Sequence, residues 1–364
     1  MRVKIYWPNW LNYRSNNREM SSSDSMMQAL HYPAFDTLVS TTVEAPELAA
    51  GEVLLKVAAC GICGSELETF KAQSVRRQPP LIMGHEFCGT VVAVSSEDQN
   101  ALLGRNFVSN SVVPCGRCIR CRRGDTHLCA HRQIFGMHRA GAFAEFVNVP
   151  AEVLIPWPSE LSAEAAAMTE PLANGVHVVN LTRHLPVHTA LVIGAGPIGL
   201  MAQQALQVMR GATVFVCDLS EGRLEVAKRL GAAEVFPSGT TNIHEELLKR
   251  TEGEGVDLVV DAVGAAQTKK LSLDCLRPGG ATVWIGLHAD NMELATYQIT
   301  LPEKQILGTY AAKKDELEYA LELMRTGRVD VTSWTEIARL GDSVEMFHRM
   351  LRPGPNDIKA VIMP

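Results

Sequence analysis

The sequence predicts two joined units, an all-β, barrel-like unit followed by a doubly wound α/β domain, and three observations carry that expectation. At 364 residues the chain is too long for one ordinary core and well sized for two. From Ala29 to about Pro156 the apolar residues recur with period two, in short runs broken by glycine and proline, which is the signature of β-strands half-buried on a curved sheet. Between about Glu170 and Ala311 the pattern becomes apolar strand, glycine, helix, repeated. Strands separated by helical stretches need crossover connections, and crossovers produce a parallel sheet with helices on both faces.

Each element follows in chain order. Residues 1–26, with Asn16-Asn17-Arg18 and a Ser21-Ser22-Ser23-Asp24-Ser25 run, lack the apolar segment of a secretory signal and read as a disordered leader or an upstream start, with folded sequence from near Met27. The first unit, 27–172, contains the alternating runs Val53-Leu54-Leu55-Lys56-Val57, Thr90-Val91-Val92-Ala93-Val94 and Ala142-Phe143-Ala144-Glu145-Phe146-Val147. The second, 173–311, has strands expected near 190–193, 213–217, 234–236, 258–261, 281–285 and 305–308. The tail, 312–364, begins with a helical stretch at 316–325, ends in the apolar run Lys359-Ala360-Val361-Ile362-Met363, and is expected to return to the first unit.

Composition narrows the function classes. With 46% hydrophobic and 20% charged residues and a net charge of −6, the chain resembles a soluble globular protein and has no basic footprint for nucleic acid. The uncharged run at 189–209 reaches membrane-spanning length, but its glycines, proline and glutamines make it a strand, a turn and a helix, so no membrane partner is expected. The nine cysteines are clustered, with Cys-x-x-Cys spacing, which favours metal ligation over a disulfide framework and points to a reducing cytoplasm.

Leu191-Val192-Ile193-Gly194-Ala195-Gly196-Pro197-Ile198-Gly199 is a G-x-G-x-x-G that follows an apolar strand and opens a helix, with Asp218 ending the next strand. Gly194 permits the turn, Gly196 lets backbone approach a pyrophosphate, Gly199 allows close helix packing, and the helix start at Pro197 and Ile198 offers unpaired N–H groups to phosphate. Asp218 is expected to accept hydrogen bonds from the adenosine ribose and to repel the extra phosphate of NADP, so the cofactor expected is NAD; Arg223, close by in sequence, weighs slightly the other way.

Cys115, Cys118, Cys121 and Cys129 lie within fifteen positions, in a stretch too poor in apolar residues to build a core. Thiolates so spaced converge on one ion, and a closed four-sulfur zinc site leaves no position open for chemistry, so this zinc is structural. Arg117, Arg120, Arg122 and Arg123 raise the competing reading of a nucleic-acid zinc module, against which stand the acidic whole and the absence of interleaved aromatics. A catalytic zinc instead needs about three ligands of mixed type and an exchangeable position. Cys63, His85 and a glutamate, either Glu86 or Glu170, supply such a set, although singly each has a structural explanation as a turn cysteine, a core histidine or a helix-start carboxylate.

Taken together, Gly61-Ile62-Cys63-Gly64-Ser65, Gly84-His85-Glu86-Phe87-Cys88-Gly89, the four-cysteine lobe, Glu170-Pro171-Leu172 and the glycine fingerprint resemble the zinc-containing medium-chain alcohol dehydrogenase family, in its polyol branch of sorbitol, galactitol-phosphate and threonine dehydrogenases. The resemblance covers residues 27–364. It implies a GroES-like catalytic barrel joined to a Rossmann domain, two zinc ions per chain and NAD. It further implies that Cys63 and His85 bind the catalytic zinc, that Glu86 and Glu170 ligate it directly or through water, and that Ser65 takes the alcohol proton. The expected substrate is a small secondary alcohol, polyol or sugar-derived, oxidised to a ketone by a homodimer or homotetramer.

The chain departs from that pattern at three places. Glu68 stands where the family often has the last histidine of its proton relay, Ser95 stands where a small glycine is usual, and Ala311 and Ala312 stand where sorbitol dehydrogenases hold the polyol with arginine and tyrosine. A threonine-type amino-alcohol dehydrogenase and a catalytically retired binding protein of the same fold are the alternatives. Cys60, Cys88, Cys217 and Cys275 read as small buried hydrophobes.

Overall fold

The structure is a computed structural model that describes residues 26–364; the leader expected at the N-terminus lies outside that range except for Met26, which opens the first strand. The chain divides into two compact units, one of residues up to Glu170 with Thr335–Pro364, the other of Pro171–Trp334.

Along the first unit come β1 (Met26–Ala34), β2 (Thr37–Glu44), β3 (Glu52–Gly61), α1 (Gly64–Lys71), β4 (Leu81–Ile82), β5 (Glu86–Val94), β6 (Asn106–Ser109), β7 (Val112–Val113), α2 (Ile119–Arg122), β8 (Gln133–Ile134), β9 (Phe146–Pro150), β10 (Leu154–Pro156) and α3 (Ala163–Ala167). The strand β3 is central: only Lys56 is exposed, and β5 and β9 pair with it on its two sides, both antiparallel. Its inward residues Val53, Leu55 and Val57 join Phe87, Val91, Phe107, Phe135, Phe143 and Val147 in one apolar core. Each such side chain removed from water is worth about 1.5–3 kcal/mol, which is what holds a sheet interrupted by so many turns. The run 142–147 departs from a simple strand. Only Phe146 and Val147 enter β9, while residues 142–144 are all buried and cross between strand edges, Phe143 N donating to Met83 O and Leu30 N to Phe143 O. The unit also holds short helices that period-two patterning does not disclose.

The second unit runs α4 (Thr169–Leu181, whose first two residues belong to the other unit), β11 (Thr189–Ile193), α5 (Pro197–Arg210), β12 (Thr213–Asp218), α6 (Glu221–Arg229), β13 (Glu234–Pro237), α7 (Ile243–Arg250), β14 (Val256–Asp261), α8 (Ala266–Asp274), β15 (Leu276–Trp284), α9 (Tyr297–Thr300), β16 (Gln305–Gly308) and α10 (Lys314–Arg325). Its sheet is parallel, in the order β13-β12-β11-β14-β15-β16. Strands covered on both faces bury every side chain, as all six residues of β14 are buried, with Leu258, Val259 and Val260 apolar between two hydrogen-bonded aspartates. The strand order reverses between β11 and β14, and at such switch points open α/β sheets bind their ligands beyond the carboxyl ends of the strands. The run 189–209 is thereby β11, a glycine turn and α5, and among the described residues no helix is long and apolar enough to cross a membrane.

The chain then gives β17 (Thr335–Arg339), α11 (Ser343–Leu351) and β18 (Lys359–Met363). The last strand pairs antiparallel with β3 through Val361 opposite Gly61 and Ile362 opposite Cys60, so the C-terminus completes the first unit's sheet. Neither β17 nor α11 was expected from the sequence; β17 packs parallel to β18 and has little apolar alternation to announce it.

Candidate active site and metal centres

Cys63, His85 and Glu86 meet because β3 and β5 are paired with Gly61 opposite Glu86 and Cys60 opposite Phe87. The two chain segments leaving that pairing carry Cys63 and His85 at one end of the sheet. Gly84, at φ +103, makes the corner before His85; a side chain there would strike Cys60 Sγ and Phe143 N, each at 2.8 Å. One ligand atom from each of Cys63, His85 and Glu86 lies within 4.8 Å of the others. His85 and Glu86 are buried and Cys63 is half-buried, so the group is sheltered but reachable.

The residues around this trio decide its geometry. Cys63 is the N-cap of α1, and Glu66, three residues on, reaches back so that Oε2 accepts from Cys63 N at 3.0 Å. The other carboxylate oxygen accepts from Gly84 N at 2.8 Å and pairs with His85 Nδ1 at 2.9 Å. A carboxylate on Nδ1 fixes the imidazole tautomer and leaves Nε2 as the free ligand nitrogen. Burial works to raise the Glu66 carboxyl, but His85, Arg77 and the Cys63 N–H outweigh it and hold it at about 2. Lys359, buried on β18, donates to Ile62 O at 2.9 Å and is ion-paired with Glu86 Oε2. Burial opposes the ammonium charge, yet Glu86 and Cys63 outweigh it and raise its pKa.

Ser65 Oγ donates to Cys63 Sγ at 3.4 Å and accepts from Arg77 Nη2 at 3.2 Å. Glu170 is not among the three converging donors; it is buried, and its Oε1 accepts from Ser111 Oγ at 3.0 Å. Glu68 faces outward, exposed on α1. Ser95 accepts from Gly51 N at 3.0 Å and donates to Gln99 Oε1 at 3.0 Å, tying the end of β5 to neighbouring turns. Ala311 takes φ +52 and Ala312 is buried. Cys60, Cys88, Cys217 and Cys275 are all buried free thiols.

The second group, Cys115, Cys118, Cys121 and Cys129, also converges. A zinc–sulfur bond of about 2.3 Å in a tetrahedron requires sulfurs about 3.8 Å apart. The separations are 3.5 Å for Cys118–Cys121, 3.8 Å for Cys118–Cys129 and 4.0 Å for Cys115–Cys121, far beyond a disulfide and matched to one enclosed ion. Cys115 N and His131 N donate to Cys129 Sγ at 3.3 and 3.4 Å, as backbone does to a thiolate. The trio fits zinc equally well by donor chemistry, since it mixes sulfur, nitrogen and oxygen and leaves a coordination position unfilled by protein.

In the second unit the turn after β11 is built by steric necessity. Gly194 has φ +96, and a Cβ on Gly199 would lie 1.8 Å from Gly194 O. By contrast a Cβ on Gly196 would meet nothing within 4 Å, which leaves open space over the start of α5, where Gly196 is the N-cap and Pro197 opens the first turn. Unpaired N–H groups facing open space at a helix N-terminus suit a pyrophosphate. Asp218 Oδ2 accepts from Ala195 N at 2.7 Å and Oδ1 from Ser220 N at 2.8 Å, so the carboxylate is aimed beside this loop with lone pairs to spare. Arg223 N donates to Ser220 Oγ at 3.4 Å in the first turn of α6.

Sequence reasoning overlooked Glu66, Arg77 and Lys359. Glu66 carried a signal, a glutamate at the third position of a helix whose cap is the metal-ligand candidate. Arg77 and Lys359 carried none: Arg77 stands in an irregular segment with no repeat to announce its bonds to Ser65, Thr69 and Gly136, and Lys359 reaches Glu86 from 273 positions away.

Residues 49–159 match the family model of the alcohol dehydrogenase GroES-like domain, and residues 197–326 that of zinc-binding dehydrogenases. A D-arabitol-phosphate dehydrogenase of Enterococcus avium is 32% identical over 336 residues, covering 91% of this chain and 95% of that protein. An L-threonine 3-dehydrogenase of Chelativorans sp. (strain BNC1) is 30% identical over 293 residues, 80% of this chain and 85% of its own. The crystal structure of galactitol-1-phosphate dehydrogenase from Escherichia coli superposes with a TM-score of 0.85 at 25% identity, covering 93% of this chain and 100% of that one.

Proposed function

The chain belongs to the zinc-containing medium-chain dehydrogenase family, and from that premise we propose that it is a zinc-dependent, NAD-linked enzyme oxidising a secondary alcohol, polyol or sugar-derived, to a ketone. One observation carries the proposal: the convergence of Cys63, His85 and Glu86 to within 4.8 Å, a mixed donor set with a position to spare. When bound, zinc supplies a Lewis acid that lowers the pKa of a hydroxyl at that position, and NAD supplies the hydride acceptor. The chain's own residues do the remainder. Glu66 holds His85 with Nε2 facing the trio, and Lys359 balances the charge of Glu86. Glu170, bonded to Ser111, is the second carboxylate of the set, acting directly or through water. Ser65 accepts the alcohol proton and passes it outward, where Glu68 or solvent takes it.

Gly194, Gly196 and Gly199 carry the pyrophosphate at the start of α5, and Asp218 takes the adenosine ribose hydroxyls and disfavours the phosphate of NADP, with Arg223 the nearest opposing charge in sequence. The arabitol-phosphate and galactitol-1-phosphate dehydrogenases among the relatives support a phosphorylated polyol, and Ala311 and Ala312 leave no side chain to grip a polyol as sorbitol dehydrogenases do. The threonine dehydrogenases support amino-alcohol oxidation as a second reading. A panel of polyols, sugar phosphates and L-threonine, offered with NAD and with NADP and repeated with a chelator, decides among them. The expected result is NADH formed from a polyol or its phosphate and abolished by the chelator; turnover of threonine alone overturns the polyol assignment. A homodimer or homotetramer is proposed from the family, and light scattering of the eluted protein measures it.

A further inference from the structure

Arg77 is buried, 2% exposed, yet among the described residues it forms no ion pair. Its guanidinium donates only to neutral oxygens: Nε to Gly136 O at 2.9 Å, Nη1 to Ser65 O at 2.7 Å and Thr69 Oγ1 at 2.9 Å, and Nη2 to Ser65 Oγ at 3.2 Å. Burying a cation costs several kcal/mol, and neutral acceptors offset only part of it. Three of its four hydrogen bonds fall on α1, two of them on Ser65, whose hydroxyl touches the Cys63 sulfur of the metal-ligand trio. The five-donor fork reaches the Gly136 loop, Thr69 and both oxygens of Ser65 at once, so the cation has its use at Ser65.

That use follows from the hydroxyl inventory of Ser65. A serine hydroxyl has one proton and two lone pairs. The proton is directed to Cys63 Sγ and one lone pair accepts from Arg77, which leaves a single lone pair uncommitted. Resting on the dehydrogenase reading above, we infer that Arg77 is a positioning residue for the reaction: its fork grips Ser65 by backbone and side chain together, holds Oγ in place, and leaves the remaining lone pair as the acceptor for the substrate hydroxyl, while the Ser65 proton turns away from Cys63 Sγ and leaves to Glu68 or solvent as the alcohol proton arrives. A lysine keeps the charge but lacks the planar fork that holds two acceptors of one residue at once.

The test compares the zinc-loaded wild type with Arg77→Met, Arg77→Lys, Ser65→Ala and the Arg77→Met/Ser65→Ala double variant, using the alcohol with the best turnover. Arg77→Met is expected to lower kcat by about ten- to a hundredfold, the range of a lost charged hydrogen bond, with KM for NAD and zinc per chain unchanged. In the Ser65→Ala background the same substitution is expected to add less than about a twofold loss, because the group it acts through is gone. Arg77→Lys is expected between wild type and Arg77→Met. A second readout needs no turnover: in cobalt-exchanged protein the thiolate-to-cobalt absorption band is expected to shift alike in Arg77→Met and Ser65→Ala, since both disturb the hydroxyl on Cys63 Sγ. Additive kcat losses, or a band unmoved by Arg77→Met while Ser65→Ala moves it, overturn the inference. If Arg77→Met does not fold, Arg77→Lys carries both comparisons. A wild type that oxidises no alcohol overturns the dehydrogenase reading instead, and the band comparison still decides the part played by Arg77.

Discussion

Glu66 does more for the metal-ligand trio than any residue outside it, for it bonds Cys63 N, Gly84 N and His85 Nδ1 at once. Replacing it with glutamine keeps the size but leaves an amide to accept from three donors. Carboxylates that orient a ligating histidine are worth about ten- to a hundredfold in metal affinity, so Glu66→Gln is expected to lose zinc from the trio to a competing chelator at about that much lower chelator strength, while the four-cysteine site keeps its ion. Lys359 poses the opposite case. Glu86 and Lys359 are both 1% exposed at their side chains, and removing one partner of such a pair strands a buried charge. Lys359→Met is expected to cost about 3–5 kcal/mol of unfolding free energy in urea titrations, and adding Glu86→Gln to recover most of it. If the double variant is less stable than the single one, the ion pair is not what the lysine is there to satisfy. At this scale the sequence named Cys63, His85 and Glu86, which the structure brings together, because sulfur, imidazole and carboxylate are chemically conspicuous; Glu170, named with them, lies outside that trio. The sequence did not disclose Lys359, which reaches Glu86 from 273 positions away and whose Lys-Ala-Val-Ile run reads as strand alone.

Elements were legible where a period and a punctuation mark coincided. The expected strand at 213–217 is β12 (Thr213–Asp218), whose buried residues Val214 to Cys217 form an unbroken apolar run, and that at 305–308 is β16 (Gln305–Gly308), an edge strand announced by Ile306-Leu307 and the glycine that closes it. The helices α1 and α3 escaped because each spans at most eight residues and is set by a cap and by packing rather than by a repeating apolar face. The turn into α5 gives a contrast of two glycines that separates making the loop from using it. Gly199→Ala puts a methyl where Gly194 O already lies and is expected to destabilise the unit by more than about 2 kcal/mol, read from thermal or urea unfolding. Gly196→Ala meets no atom within 4 Å, so it is expected to cost about 1 kcal/mol or less in stability while weakening NAD binding at least about tenfold, read by calorimetric titration. Equal effects of the two on stability contradict that division of labour.

For the molecule as a whole, pH stability is set in part where the parallel strands begin. Asp257 on β14 accepts from His188 N and Thr189 N, each at 2.8 Å, and from Arg277 Nε at 2.6 Å, so one carboxylate binds the starts of β11, β14 and β15. Burial works to raise its pKa, but the Arg277 hydrogen bond and the backbone donors outweigh it and the net shift is downward. A carboxyl depressed on folding stabilises above its unfolded pKa, near 3.9, and loses that contribution as pH falls through the folded value. Asp257→Asn is therefore expected to lower the urea midpoint at pH 7 and to flatten its fall below about pH 4; an unchanged acid slope contradicts the linkage. The two-unit architecture itself was readable from the change of period near Glu170, whereas the return of β17 and α11 to the first unit was visible only through the strand that ends it, since its β3 partner is set by tertiary pairing. Anomalous scattering at the zinc edge from crystals of the zinc-loaded protein addresses the centre of the proposal. Two peaks per chain are expected, one inside the four cysteines and one within about 2.0–2.3 Å of both Cys63 Sγ and His85 Nε2; a single peak, confined to the cysteine lobe, contradicts it.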